Sequence, residues 1–177
     1  MPKFRLARRG SSSISAPRRL RPAGLTLVEL LVVLAVLSIL AMAALPYAET
    51  AVRREHELAL HRALRDIRSA LDRVHADWED ERISRASERV SQDGYPKTLS
   101  ALVEGIRTGD ANGTRRWYLR RIPRDPFADP ALPTAQQWAL RSYRDPPDNA
   151  TWGGEDVYDV HSHSNGTAID GTRYRDW

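Results

Sequence analysis

The run from Leu25 to Leu45 constrains this chain more than any other stretch. It contains 21 residues, of which only Thr26, Glu29 and Ser38 are polar and only Glu29 is charged. At ~1.5 Å per residue, a helix of this length spans a bilayer core of ~30 Å. We therefore predict one membrane-spanning helix. A carboxylate inside hydrocarbon is costly, so Glu29 is a candidate functional residue that needs a partner.

The 24 residues before this run are basic. They contain seven Lys or Arg residues and no Asp or Glu, a bias that holds this end of a membrane helix in the cytoplasm. A secretory signal places its small cleavage residues after the apolar region, whereas here the small residue Gly24 precedes it. Cleavage after Gly24 would leave the apolar helix on the product. We predict that residues 1–24 are a leader that is disordered or only marginally structured.

The formal charge of +4 is a property of this leader. Removing its seven basic residues from the 27 Lys and Arg leaves 20 against 23 Asp and Glu, a net charge of −3. The composition therefore gives no reason to expect nucleic-acid binding by the processed product. Cysteine is absent, so no disulfide stabilises the domain. The sequence contains no nucleophile elbow and no P-loop, and we predict that the protein is not an enzyme.

A second helical pattern follows Pro46, which removes one helical hydrogen bond and predicts a bend rather than an end. Apolar residues then recur at steps of four and three, with charged residues on the opposite face. Two interpretations remain open: the apolar stripe packs on the chain's own domain, or it forms a short coiled coil. We favour the first, because only about three heptads are present. The stripe consists of Leu60, Leu64, Ile67, Leu71, Val74 and Trp78.

The rest of the chain indicates a small mixed domain. Residues 79–93 are very polar and predict a solvated connector with some helix, which Gly94 ends. A short helix is expected to begin near Lys97, and two short runs rich in aromatic and β-branched residues predict strands at 138–143 and 157–160.

The predicted fold class is α+β, a long N-terminal helix packed on a small antiparallel β-sheet domain. The expected parts are the leader at 1–24, the long helix at 25–78 and the globular domain at 79–177. Within the helix we expect an apolar membrane part at 25–45 and an amphipathic part at 46–78.

The segment Gly24-Leu25-Thr26-Leu27-Val28-Glu29-Leu30 resembles the class III signal of type IV pilins and type II secretion pseudopilins. The resemblance implies a type IV pilin-like fold, cleavage after Gly24 by a prepilin peptidase and N-methylation of Leu25. It also implies that Glu29 is the assembly residue. Pairing of the Glu29 carboxylate with the Leu25 amine of a neighbouring subunit would relieve two buried charges. The alternative is that Glu29 only snorkels to the membrane interface.

The second half of the chain resembles the globular domain of the protein G family of major pseudopilins. The similarity lies in Tyr95-Pro96, in Ile122–Phe127 and in Tyr158–Ser162. It implies a structural subunit of the inner membrane, with a periplasmic domain, that assembles into a pseudopilus driving protein export across the outer membrane. The implied partners are other copies of the chain, the prepilin peptidase, minor pseudopilins and the inner-membrane assembly platform, and not nucleic acid.

The same resemblance implies a calcium ion in the C-terminal loop. Calcium takes about six to eight oxygen ligands, and Asp159, Asp170 and Asp176 are the candidate carboxylates. The loop carries four more residues before Asp170-Gly171 than the family pattern has. The alternative is that Asp170-Gly171 is only a turn.

Two other functions remain open. The first alternative is a minor type IV pilin or competence pilin subunit, which would share the signal at Gly24 and Glu29. The second is a membrane-anchored periplasmic binding domain that never polymerises, in which case Glu29 has no role in association.

Overall fold

The structure is a computed structural model that describes residues 24, 26–110, 112–146, 149 and 151–177. The predicted leader up to residue 23, and Leu25, lie outside the described residues. The chain divides into two compact units, Met1–Ala44 and Leu45–Trp177. The helices are α1 (Leu27–Glu79), α2 (Ala101–Glu104) and two short 3-10 helices (Thr134–Gln136 and Tyr174–Asp176), and the strands are β1 (Ile106–Arg107), β2 (Arg115–Arg116), β3 (Trp138–Arg141) and β4 (Asp159–Ser162).

Helix α1 extends over both predicted helical patterns and continues through Pro46, as the sequence predicted. A long N-terminal helix followed by small antiparallel sheets is the α+β, type IV pilin-like architecture that we expected.

The core of the second unit lies along one face of α1. The five aliphatic residues of the predicted stripe are at most 2% exposed, whereas Trp78 at its end is half-buried. They pack against residues of every later part of the domain, including Leu102, Ile106, Val157 and Val160. The stripe therefore covers the chain's own domain, and the prediction that it packs there is confirmed.

Two separate antiparallel ribbons complete the domain. Strands β3 and β4 pair from Trp138 opposite Ser162 to Arg141 opposite Asp159, which confirms both predicted strand regions with a shift of two residues in the second. Strands β1 and β2 were not predicted, because each has only two residues and both residues of β2 are exposed. A polar turn holds this ribbon, in which the Asp110 carboxylate accepts hydrogen bonds from the hydroxyls of Thr108 and Thr114. These bonds lower the pKa of Asp110.

The expectation of some helix in the connector is wrong. Residues 80–100 are described throughout and contain no helix; Ile83 instead forms a β-bridge with Thr108, and Val90 forms one with Pro96. Both apolar residues are buried, at 1% and 7% exposure, so each anchors one short extended segment on the core. The spacing of Ile83 and Val90 in the sequence resembles that of one face of a helix, although both residues lie in extended segments.

The glycine that ends the connector has a structural role of its own. Gly94 adopts a φ of +84°, and a Cβ at this position would lie 2.7 Å from the Trp78 ring and 2.8 Å from His75. The turn therefore requires glycine both for its backbone conformation and for its close approach to α1.

A buried carboxylate fastens the end of α1 to the domain. Asp77 is only 4% exposed, and it accepts a hydrogen bond from the Tyr118 hydroxyl at 2.7 Å. Its two oxygens also form ion pairs with Arg82 and Arg116, each at 3.1 Å. Burial, followed by the hydrogen bond to Asp77, raises the pKa of Tyr118, so the hydroxyl stays protonated and donates. The desolvated carboxylate is thus paired on both sides, as burial of a charge requires.

We expect Tyr118→Phe to lower the free energy of unfolding by about 1–3 kcal/mol, because a charged, buried acceptor loses its donor. Chemical denaturation followed by tryptophan fluorescence measures this change. Tyr143→Phe is the matched control, since Tyr143 is 53% exposed and its hydroxyl makes no hydrogen bond within the described residues. A Tyr118→Phe chain as stable as the wild type would mean that the two arginines alone satisfy Asp77.

Candidate processing and assembly site

The apolar helix begins with a side-chain cap. The Thr26 hydroxyl accepts a hydrogen bond from the backbone N–H of Glu29 at 3.2 Å, and the Thr26 carbonyl accepts one from Leu30 at 3.1 Å. The order Thr-x-x-Glu is the sequence of a capping box, in which a hydroxyl satisfies one of the unpaired N–H groups at the helix start. The cap places Glu29 in the first turn of α1.

The Glu29 carboxylate is exposed, and within the described residues it has neither a hydrogen-bond donor nor a cation. A negative charge in the first turn is favoured by the helix dipole, so the position itself tolerates the ionised form. Gly24, on the other side of the predicted cleavage point, is exposed and has no atom within 4 Å of the place a Cβ would occupy. Leu25, the predicted methylation site, lies outside the described residues.

The large apolar side chains that follow are exposed on every face. Their exposed fractions range from 49% at Val33 to 77% at Leu27, and the most apolar window of the helix is 0% buried. Ser38, which lies among them, donates its hydroxyl to the Leu34 carbonyl at 2.8 Å, so it needs no outside partner. By length and composition this helix can cross a membrane. An apolar surface of this kind requires lipid or other apolar helices around it.

The predicted calcium ligands lie in the second unit. One carboxylate oxygen of Asp159 accepts a hydrogen bond from the Arg68 Nε at 2.7 Å, and the other accepts one from the Arg141 Nη2 at 2.8 Å. Asp170 accepts the backbone N–H and the hydroxyl of Thr172, at 2.9 and 2.7 Å, and these bonds lower its pKa. Asp176 lies in the last 3-10 helix, 3.5 Å from Arg175.

These three carboxylates do not fit a shared calcium site. Asp159 is already neutralised by two guanidinium groups, and Asp170 forms a local turn, which was the alternative interpretation. Among the described residues there is no group of three or more His, Cys, Asp or Glu side chains that could hold a metal ion. Calcium binding stays a prediction that this geometry does not support.

The C-terminal segment is instead fastened to α1 by residues that the sequence did not single out. Arg68 donates to the carbonyls of Val160 and Trp177 at 3.0 and 2.6 Å, in addition to its bond with Asp159. One Glu57 oxygen accepts the Ile169 N–H and the Tyr174 hydroxyl, each at 2.9 Å. In the sequence, Arg68 is one of the charged residues opposite the apolar stripe and Glu57 precedes the stripe. A solvated charge and a charge that binds a distant loop look alike at such positions.

His161 on β4 is a titratable group close to this anchor. Burial lowers its pKa below the ordinary value of 6.5; the charge of Asp159 acts in the opposite direction, and His163, Arg141 and Arg68 lower the pKa further. The folded protein therefore holds His161 neutral at a pH where the unfolded chain already binds a proton.

Comparison with known proteins agrees with the N-terminal site. Residues 19–45 match the family described as the prokaryotic N-terminal methylation motif, which includes Gly24, Leu25 and Glu29. No curated protein and no solved structure matches the chain. The matched motif is that of type IV pilin-like prepilins, so it supports a structural subunit processed by a prepilin peptidase and assembled in a pilus-like manner. It does not distinguish pilins from pseudopilins.

The neutral His161 predicts a stability that decreases in weak acid. Because the unfolded state binds more protons than the folded state below about pH 6.5, the free energy of unfolding falls as the pH drops through that value. Unfolding curves measured about one unit above and one unit below pH 6.5 test this. We expect His161→Gln to reduce the loss, whereas the exposed neighbour variant His163→Gln retains most of it. Equal pH dependence in wild type and His161→Gln would contradict the assignment.

Proposed function

We propose that the chain is the precursor of a pseudopilin of a type II secretion system. The basic leader stays in the cytoplasm, a prepilin peptidase cuts after Gly24 and methylates Leu25, and the domain waits in the periplasm on its membrane helix. Subunits then assemble by packing of their apolar helices into a pseudopilus that drives export. The observation that carries the proposal is the exposed Glu29 carboxylate at the capped start of an exposed apolar helix, inside the matched methylation motif.

The chemistry of assembly follows from the charges at this helix start. Cleavage creates an amine at Leu25, which remains cationic near neutral pH even when methylated. An isolated ammonium and an isolated carboxylate are each costly in hydrocarbon, and bringing the two together offsets part of both costs. If the Leu25 amine of one subunit meets Glu29 of the next, the pair also fixes the axial register between their helices.

Two features of the sequence support a pseudopilin rather than a type IV pilin. The absence of cysteine and the block Ile122–Phe127 favour a pseudopilin over a pilin with a disulfide-closed loop. In the structure this block is irregular and is anchored by the Trp138 indole N–H, which donates to the Pro123 carbonyl at 3.0 Å. Loss of protein secretion on deletion is the expected phenotype; loss of twitching or DNA uptake without a secretion defect would indicate the pilin alternative.

Processing is tested by the intact mass of the chain purified from cells with and without the prepilin peptidase. We expect loss of residues 1–24 and gain of one methyl group at Leu25, both dependent on the peptidase. Gly24→Ala should abolish the cut, because the signal places this residue at the cleavage point, whereas Gly10→Ala, the same change elsewhere in the leader, is the control. A full-length mass in every sample would leave the apolar helix as a plain anchor.

Assembly is tested by sedimentation of crosslinked multimers from cells that express the whole secretion system. We expect Glu29→Ala to be processed normally but to lose multimers, and Glu29→Asp to retain part of them because the charge remains. Glu49→Ala, which removes an exposed carboxylate later on the same helix, should assemble as the wild type does. Normal multimers with Glu29→Ala would support the anchored, non-polymerising alternative.

A further inference from the structure

A groove of about 1060 Å³ lies in the second unit, beside the face of α1 that is not covered by the core. Its α1 wall is built from small and polar residues between Ala59 and Arg73, 14 residues apart and hence ~21 Å long at ~1.5 Å per residue. The opposite wall is the segment Leu119–Arg124, which we call the strap. Aliphatic side chains of Ala63, Val103, Leu119 and Ile122 line the groove between them.

The strap has no regular secondary structure, yet it is fixed at both ends. At its start, the N–H groups of Tyr118 and Leu119 both donate to the Leu102 carbonyl at 3.0 Å. At its end, the Trp138 indole holds the Pro123 carbonyl, and the Asp125 N–H donates to the Gln137 side chain at 3.3 Å. The groove is therefore formed in the free chain and does not depend on a ligand to order it.

The charges around the groove are unbalanced. Four exposed arginines on its walls have no acidic partner and no side-chain hydrogen bond within the described residues. Of the two acids that line it, Glu104 forms an ion pair with Arg89 at 2.6 Å. Asp66 is therefore the one acidic residue of the groove lining left to balance the four arginines. The four arginines are Arg62, Arg120, Arg121 and Arg124.

A second, smaller hollow of about 540 Å³ extends the same surface. It shares Val103, Leu119 and Arg120 with the groove and adds Trp117, whose side chain is 62% exposed. Large aromatic side chains and arginines are the residues that contribute most to the free energy of protein–protein binding, whereas an isolated surface arginine indicates no binding site. In this protein Trp117 and the groove arginines lie on one continuous surface with an aliphatic floor.

We propose that this groove binds an acidic peptide segment of a partner protein, one that presents carboxylates beside aliphatic side chains. Arginine pairs with carboxylates through two parallel hydrogen bonds, and the aliphatic floor would receive the apolar side chains between them. An extended segment advances ~3.3 Å per residue, so about six residues fill the length of the α1 wall. The proposal stands on the second unit alone and does not depend on the type II secretion assignment.

A nucleic acid fits the same surface less well. Single strands bind where several aromatic rings stack successive bases along a basic groove. This floor is aliphatic, it has one exposed aromatic residue at its end, and Asp66 lies on the α1 wall where a phosphate would have to pass. A peptide backbone, by contrast, can donate an N–H group to Asp66.

Fluorescence anisotropy tests the proposal with the full-length chain in nanodiscs. The probe is a labelled peptide of about eight Glu and Leu residues, compared with the same peptide carrying Gln in place of Glu. We expect the acidic peptide to bind at least about tenfold more tightly, and we expect this difference to shrink with added salt. Arg120→Glu with Arg121→Glu should weaken binding by about tenfold or more, since attraction is replaced by repulsion.

Arg107→Glu with Arg173→Glu is the matched control, because it makes the same change of charge at exposed arginines outside the groove. It should bind the acidic peptide as the wild type does, and circular dichroism should show all variants folded. Equal binding of the two peptides, or equal loss in both double variants, would overturn the proposal. Tighter binding of an oligothymidine of matched charge would assign the groove to nucleic acid. Association of the nanodiscs with one another through the same arginines would assign it to a second copy of the chain.

Discussion

Burial of one face of α1 is the interaction on which the domain depends. Leu60, Leu64, Ile67, Leu71 and Val74 are each at most 2% exposed. Burying such a side chain is worth roughly 1.5–3 kcal/mol, so these five contribute about 10 kcal/mol, which is comparable to the net stability of a whole domain. The strands are too few and too short to form a stable sheet alone. The ribbons, the connector and the loops fold because α1 offers them one apolar surface.

Polar contacts then determine where each later segment lies on that surface. Three charged residues of α1 bind three different parts of the chain: Glu57 holds the C-terminal loop, Arg68 holds β4 and the terminus, and Asp77 holds Tyr118 and Arg116. Each of these contacts joins residues at least 39 positions apart in sequence, the closest pair being Asp77 and Arg116. Breaking one of them leaves a partly or fully buried group unpaired, and this cost disfavours any other placement of the segment. These contacts therefore determine where each segment lies more than they add to the net stability.

The sequence predicted the features that follow from local periodicity and from the signal. The apolar stripe of α1, the strands near residues 138 and 160, and the motif around Glu29 all depend on patterns that are local in the sequence. The connector was misjudged because Ile83 and Val90 are buried where they form β-bridges, Ile83 with Thr108 and Val90 with Pro96, rather than by a local helix. The arginine partners of Asp159 could not be predicted from the sequence, since they are 91 and 18 residues away. No local pattern records which arginine a carboxylate will meet.

Charged residues that are paired within the chain differ in role from charged residues that are not: the first hold the fold together, and the second are candidates for binding another molecule. Asp77 is buried and Asp159 is partly buried, and each is paired with basic or hydroxyl groups of its own chain. Glu29 has no such partner among the described residues, although it lies in the apolar part of α1, and the groove arginines outnumber the acids that line the groove. In water an unpaired charge costs little, but in lipid or in an interface it must be matched. Under the two proposals made above, the partner of Glu29 is an ammonium group and the partners of the groove arginines are carboxylates, each supplied by another chain.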